Sequence, residues 1–313
     1  MPKMDFKLKD TITLFKDTYN EWSEDEAFDL SAAVAYYSIF SLPPLLLIVV
    51  ALAGIFFGPD AVQGKITAEV GSTIGKQSAE NIQAMISNAY KSGQSKIATI
   101  VGIATLIFSS TGLFYQLQKT LNKIWEVKAN PKGGIKKLIL DRATSLGIVL
   151  AVGFLLLISM VITTMVNAFS DWIMHMLPHF VIYLFYVVNF LLSFVVITAL
   201  FALIYKFLPD VRMEWRSVWV GAAITALLFV IGKFGLGLYF RFGNPVSTFG
   251  AAGSVILILL WIYYSCLILF FGAEFTQVYA RRYGHSVEPS AHAVRIKKIA
   301  VEGQEEKKEF TKG

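Results

Sequence analysis

The chain has 313 residues, of which 55% are hydrophobic and 16% charged, with a formal net charge of +6. Its mean hydropathy is +0.59, which leaves little chain for a separate soluble domain. A single cysteine, Cys266, excludes an internal disulfide framework, and its apolar surroundings mark it as a small core residue rather than a reactive thiol.

Residues 1–29 precede the first apolar stretch. Leu8, Ile12, Phe15, Tyr19 and Trp22 recur at helical spacing, with Lys7, Lys9, Lys16, Asp17 and Glu21 on the opposite side. The spacing predicts an amphipathic helix, either lying on the inner membrane surface or packed beneath a bundle. No basic segment leads into an apolar signal core here, so the first span is expected to act as the insertion signal. Glu24, Asp25, Glu26 and Asp29 suit the positive dipole end of the helix that follows.

Six apolar stretches come next, at 30–59, 97–118, 143–170, 180–205, 217–240 and 250–273, and only the fifth holds a charge, Lys233. A spanning helix needs roughly 20 apolar residues, so each stretch is long enough to cross a bilayer. The predicted fold is therefore all-α, a polytopic bundle of six transmembrane helices with additional amphipathic helices. The membrane domain is expected over 30–283 and a polar tail, disordered or peripheral, over 284–313.

Within the first stretch, Pro43-Pro44 predicts a kink or break, as structural bend or moving hinge, with Ser38 and Ser41 near the freed carbonyls. Residues 59–96 form a long outer connection. Val62, Ile66, Val70 and Ile74, then Ile82, Met85, Ile86 and Ala89, predict two short amphipathic helices that could cover the bundle. The second span is expected to protrude as helix to about Trp125, ahead of a turn at Asn130-Pro131. Trp125, Trp172, Trp215 and Trp219 fall near span ends, as an aromatic belt would.

Lys and Arg are distributed unevenly among the connections. With both termini inside, 22 of the 28 fall on the cytoplasmic side and five outside, Lys233 being the remainder. The positive-inside rule then predicts a multi-pass protein with both termini cytoplasmic.

Ionisable groups within a membrane are costly, and each is a functional candidate. Lys233 lies among Gly232, Gly235 and Gly237, which permit close helix approach or a local break. It could hold an anionic substrate together with Tyr239, Arg241 and Asn244 at the outer mouth. The bland alternative is a lysine that snorkels or meets a carbonyl. Pro43, Pro44 and the three glycines are candidate hinge positions. Glu274 closes the sixth span, roughly 20–25 Å from Lys233 for straight helices. It is better placed to meet Arg142, Lys206 or Arg212. Ser109, Ser110 and Thr111 in the second span, and Asn189 with Ser193 in the fourth, are intramembrane polar groups whose default role is interhelical bonding. His175 and His179 are interrupted by Pro178, and no third ligand completes a metal site. Hydrolase, nucleotide-binding and dinucleotide motifs are missing, so no enzyme, cofactor or nucleic-acid partner is expected.

Ala32-Ala33-Val34-Ala35-Tyr36-Tyr37-Ser38-Ile39-Phe40-Ser41-Leu42-Pro43-Pro44 resembles the first-span signature of the YihY/BrkB family of bacterial inner-membrane proteins. So do Ser110-Thr111-Gly112-Leu113-Phe114 with Leu121-Asn122-Lys123-Ile124-Trp125. The third match is Phe249-Gly250-Ala251-Ala252-Gly253-Ser254, with Leu260-Trp261-Ile262-Tyr263-Tyr264 and Gly272-Ala273-Glu274. The resemblance covers most of 30–283 and implies a helical bundle in the bacterial cytoplasmic membrane. Its former label, ribonuclease BN, is regarded as a misassignment, and no clustered acids or histidines here support metal-dependent cleavage. What it implies is envelope or lipid export of an unsettled substrate. Two readings stand: a transporter of an amphipathic or anionic molecule, with membrane lipids or a small solute as partner, and a non-transporting scaffold for envelope assembly. A homo-oligomer is compatible with both.

Overall fold

The computed structural model describes residues 8–91, 112–129, 147, 180–243, 253–283, 287–290 and 293–295. The helices are α1 (Leu8–Glu24), α2 (Ala27–Phe57), α3 (Pro59–Ile74), α4 (Lys76–Lys91), α5 (112–124), α6 (Phe180–Phe207), α7 (Trp215–Gly243) and α8 (Gly253–Arg282). Four short strands join them: β1 (Val127–Ala129), β2 (Val211–Met213), β3 (Val287–Pro289) and β4 (Ala293–Arg295). Among the described residues, three helical segments are long and apolar enough to cross a membrane: Phe190–Phe207, Trp215–Tyr239 and Gly253–Arg282. The expected stretch at 143–170, and most of that at 97–118, lie outside the described residues.

The seam between α7 and α8 organises the bundle. These helices run antiparallel, and small residues on each receive hydroxyl side chains from the other. Gly221 lies against Thr276, Gly272 against Thr225 and Tyr205, and Gly232 against the Tyr264 hydroxyl. Lipid offers apolar helices no hydrophobic reason to pair, so close approach at small residues must supply the attraction. The threonines do not leave polar atoms orphaned. Thr225 Oγ1 donates to Gly221 O at 2.7 Å and Thr276 Oγ1 to Gly272 O at 2.6 Å. Tyr205, from α6, donates to Leu269 O at 2.7 Å and lies 2.9 Å from Thr225 Oγ1.

α2 runs as helix through Pro43 and Pro44 without interruption, so the proline pair does not break it. Ser38 Oγ donates to Val34 O at 2.7 Å and Ser41 Oγ to Tyr37 O at 3.0 Å. Both therefore bond one turn back, rather than to the Ile39 and Phe40 carbonyls that the prolines leave without their helical donors. The outer connection forms the two expected helices, α3 and α4. Gly58 and Gly75, at φ 80° and 92°, make the corners before each of them. Their apolar sides carry Val62, Ile82 and Ile86 onto Val50 of α2 and Ile258 of α8.

α1 packs at the other end, against the last turns of α8. Its phase differs from the expected one. Leu14, Thr18 and Trp22 are buried, whereas Ile12 and Tyr19 are exposed. Thr18 can enter the core because its hydroxyl is satisfied by Leu14 O at 2.7 Å. An acidic edge of α1 meets basic residues of α8: Arg281 contacts Glu21 at 2.5 Å, and Arg282 contacts Asp10 at 3.4 Å and Asp17 at 3.9 Å. The chain then turns at Glu26, whose φ of 58° is left-handed, into α2.

Two antiparallel pairs close the same end. β1 pairs with β4, and β2 with β3. Residues 287–289 and 293–295 are therefore structured, so of the two expectations for the tail, disordered or peripheral, these residues fit the second. Asn122 fastens this layer. Its Nδ2 donates to Asp210 Oδ2 at 2.9 Å and its Oδ1 accepts from Asp210 N at 2.7 Å. Asp210 O in turn accepts from Ser290 N at 2.9 Å. Trp125, expected in an aromatic belt, is 1% exposed and lies edge-on to Tyr205 with ring centroids 6.0 Å apart. The indole shares a buried cluster with Ile124, Tyr205 and Val127 of β1. Trp215 and Trp219 stay exposed.

Candidate functional site

Two polar constellations interrupt the apolar bundle, one at each end. At the α3–α4 end, Lys233 of α7 forms an ion pair with Glu69 of α3 at 2.7 Å. Sequence reasoning singled out Lys233 but not Glu69, which lies 164 residues away in the first of the two expected amphipathic helices. The lysine side chain is 40% exposed and the glutamate 63%. A second tie joins the same cover to α8, where Asn81 Nδ2 donates to Ser254 Oγ.

The residues grouped with Lys233 divide. Tyr239 lies two turns further along α7 and is exposed. Arg241 belongs to the last turn of α7, with its side chain outside the described residues, as is all of Asn244. Of the glycines, Gly232 is a close-contact position against Tyr264, while Gly235 and Gly237 have open space beside them. α7 runs as continuous helix through all three. They therefore make no local break.

At the α1 end, Glu274 is 1% exposed. It sits on the buried face of α8, between the Gly272–Thr225 contact and the α1 docking surface. Gln277 lies one turn on. Its amide, oriented to satisfy both neighbours, donates to Ile124 O at 2.6 Å and Glu274 Oε2 at 3.3 Å. Two of the three expected cationic neighbours engage other groups. Lys206 donates to Met213 O and lies 5.4 Å from the Trp215 ring. Arg212 stands exposed opposite Glu288 in the β2–β3 pair. Arg142 lies outside the described residues. Lys123 bridges α5 to the α1–α2 corner, donating to Asp25 O at 3.1 Å and pairing with Glu26 at 3.0 Å.

Of the other intramembrane polar groups, Ser109, Ser110 and Thr111 lie outside the described residues, and Asn189 falls within α6 with its side chain outside them. Ser193 is exposed on α6. Cys266 is buried. Among the described residues, no group of three or more His, Cys, Asp or Glu could hold a metal ion.

The segment Leu121-Asn122-Lys123-Ile124-Trp125 thus supplies the Asp210 clasp, the corner ion pair, the Gln277 acceptor and a buried indole in succession. That segment and the glycine seam lie within a family match that runs over residues 18–297, to the family described as Virulence factor BrkB. The chain belongs to this family. The match takes in the end of α1 and both tail strands, as their packing would require.

Curated relatives carry the name UPF0761 membrane protein. That of Verminephrobacter eiseniae is 28% identical over 252 residues, 79% of this chain and 57% of the relative. The chain therefore spans little more than half of that relative's length. The Pseudoalteromonas atlantica protein is 27% identical over 78% of each chain, and that of Tolumonas auensis is 30% identical over 57% of this chain and 56% of its own. No solved structure matches. Membership of this family and the apolar helices together make the chain an integral membrane protein.

Proposed function

We propose that this BrkB-family protein transports an amphipathic or anionic molecule across the bacterial cytoplasmic membrane, without catalysis, with Lys233 as the cationic contact. The observation that supports this reading best is the Lys233–Glu69 pair. A lysine inside an otherwise uncharged apolar stretch is costly and needs a reason. A half-exposed ion pair contributes only about 0–1 kcal/mol, so it exchanges readily. An anionic group arriving at α7 competes with Glu69, and release of Glu69 loosens the tie between α7 and the α3–α4 cover. The uneven distribution of Lys and Arg supports placing both termini in the cytoplasm.

The rival reading, a scaffold for envelope assembly, would use α1 and the tail as docking surfaces. The ion pairs of α1 with Arg281 and Arg282, and the pairing of β3 and β4, already engage α1 and residues 287–289 and 293–295 within the molecule. Transport is the better supported of the two.

The test is translocation of a fluorescent phosphatidylglycerol in proteoliposomes, read by bleaching of the outer leaflet. Lys233→Ala should slow it about tenfold, equivalent to about 1.4 kcal/mol of lost interaction. Unchanged flux in this variant would remove Lys233 from the site. No flux above empty liposomes with the unaltered protein would remove anionic lipid as the substrate.

A further inference from the structure

Buried polar side-chain atoms without partners are rare in folded proteins, and where they gather they mark bound water or a ligand. Among the described residues, Trp22 Nε1, Ser31 Oγ, Thr120 Oγ1, Trp125 Nε1 and Ser217 Oγ are buried and make no hydrogen bond. They come from four segments of chain, Thr120 and Trp125 sharing one, yet all five lie at the α1 end. In the rest of the described structure only Thr67, on α3, has a comparable atom apart from Glu274.

The packing places four of them near the same turns of α8, and Ser31 lies on α2 between Ala27 and Val34, which share the buried cluster of Trp22. The Trp22 ring lies 6.0 Å from that of Phe271, one turn before Glu274. Thr120 is one turn before Ile124, whose carbonyl meets Gln277. Trp125 follows Ile124 and abuts Tyr205. Ser217 is one turn before Gly221, which receives Thr276. Side-chain relaxation offers the two indoles little relief. An indole N–H is a donor only, in one fixed direction, and both rings are wedged among other aromatics, Trp22 with Phe28 at 4.7 Å as well as Phe271.

We propose that the α1 end of the bundle binds internal water, in sites lined by Trp22, Ser31, Thr120, Trp125 and Ser217. The ligand is water because the set mixes fixed donors with hydroxyls that both give and accept. A water needs two to four such partners, and the carboxyl of Glu274 and the amide oxygen of Gln277 add acceptors at the same level. The opposite half of the bundle, around Val50, Ile82, Ile86 and Ile258, is lined mainly by apolar side chains. The proposal does not rest on the transport reading.

Radiolytic footprinting in nanodiscs tests it, because hydroxyl radicals formed from a bound water oxidise the side chain beside it. Trp22 and Trp125 should oxidise faster than Trp261, which is less buried but packs in the apolar half against Phe229. Oxidation of both no faster than Trp261 overturns the proposal. Ser217→Ala and Thr120→Val give a second reading. Hydroxyls bonded to water should cost stability when removed, lowering the melting temperature by about 2 °C or more. Dry orphaned hydroxyls should instead leave it unchanged or raise it, and that result in both variants also overturns the proposal.

Discussion

Gly221 on α7 lies so close to Thr276 on α8 that a Cβ at position 221 would overlap Thr276 Oγ1 and stand 2.8 Å from Thr276 Cβ. One turn away the roles reverse, with Gly272 receiving Thr225 at the same 2.8 Å to its Cβ. The two contacts fix the sliding register of the helix pair. Gly221→Ala and Gly272→Ala should each destabilise the protein by about 1–3 kcal/mol through overpacking. Thermal unfolding in detergent checks this, and Thr276→Ala should recover part of the loss in the Gly221→Ala background. Gly235→Ala, with open space around it, should leave the melting temperature near that of the unaltered protein.

The Asn122–Asp210 clasp carries two hydrogen bonds between segments 88 residues apart. Asn122→Ala should cost about 1–3 kcal/mol, since it leaves Asp210 N and a carboxylate oxygen without that partner. Amide exchange should rise selectively at 208–213 and 287–290. Protection unchanged in those segments would show that the sheet pairs hold without the clasp.

Lys233 and Glu69 are half-exposed, so their direct coupling should be small. A double-mutant cycle with Lys233→Ala and Glu69→Ala should give at most about 1 kcal/mol in stability. Transport should respond more strongly than stability. Glu69→Gln should speed an exchange that needs the pair to open, and the same variant should leave thermal unfolding nearly unchanged.

The docking of α1 depends partly on Arg281 and Arg282. Surface charges are screened over about 8 Å at physiological ionic strength, so high salt should loosen α1 but not detach it. The buried contact of Leu14 with Phe275, Val278 and Tyr279 remains. Arg281→Ala with Arg282→Ala should increase exchange in α1 at low salt and remove most of the salt response. Exchange in α7 should not change.

Three spans were legible from the sequence because apolar length alone reports them: α6, α7 and α8 overlie the stretches at 180–205, 217–240 and 250–273. The cover helices were legible from four-residue steps, as at Val62 and Ile66. The phase of α1 was not, because Thr18 reads as polar until its bond to Leu14 O is seen. Glu69 was invisible as a partner because nothing local relates it to Lys233. Three-residue strands carry no readable period, so β3 and β4 were not visible within the polar tail. Trp125 was misread for a similar reason: a tryptophan near a span end looks like an interfacial anchor until its burial beside Tyr205 is seen.

The sheet pairs also bear on the order of assembly. β1 and β2 leave the ribosome long before β4 and β3, their partners, which lie beyond the last span. Insertion of the helices can proceed as each emerges, but the α1 end stays unsealed until residues 287–295 have been made. A stop codon between Tyr283 and Val287 would therefore spare every apolar helix and still leave Asp210, Asn122 and the Trp125 indole at the margin of an unfinished closure.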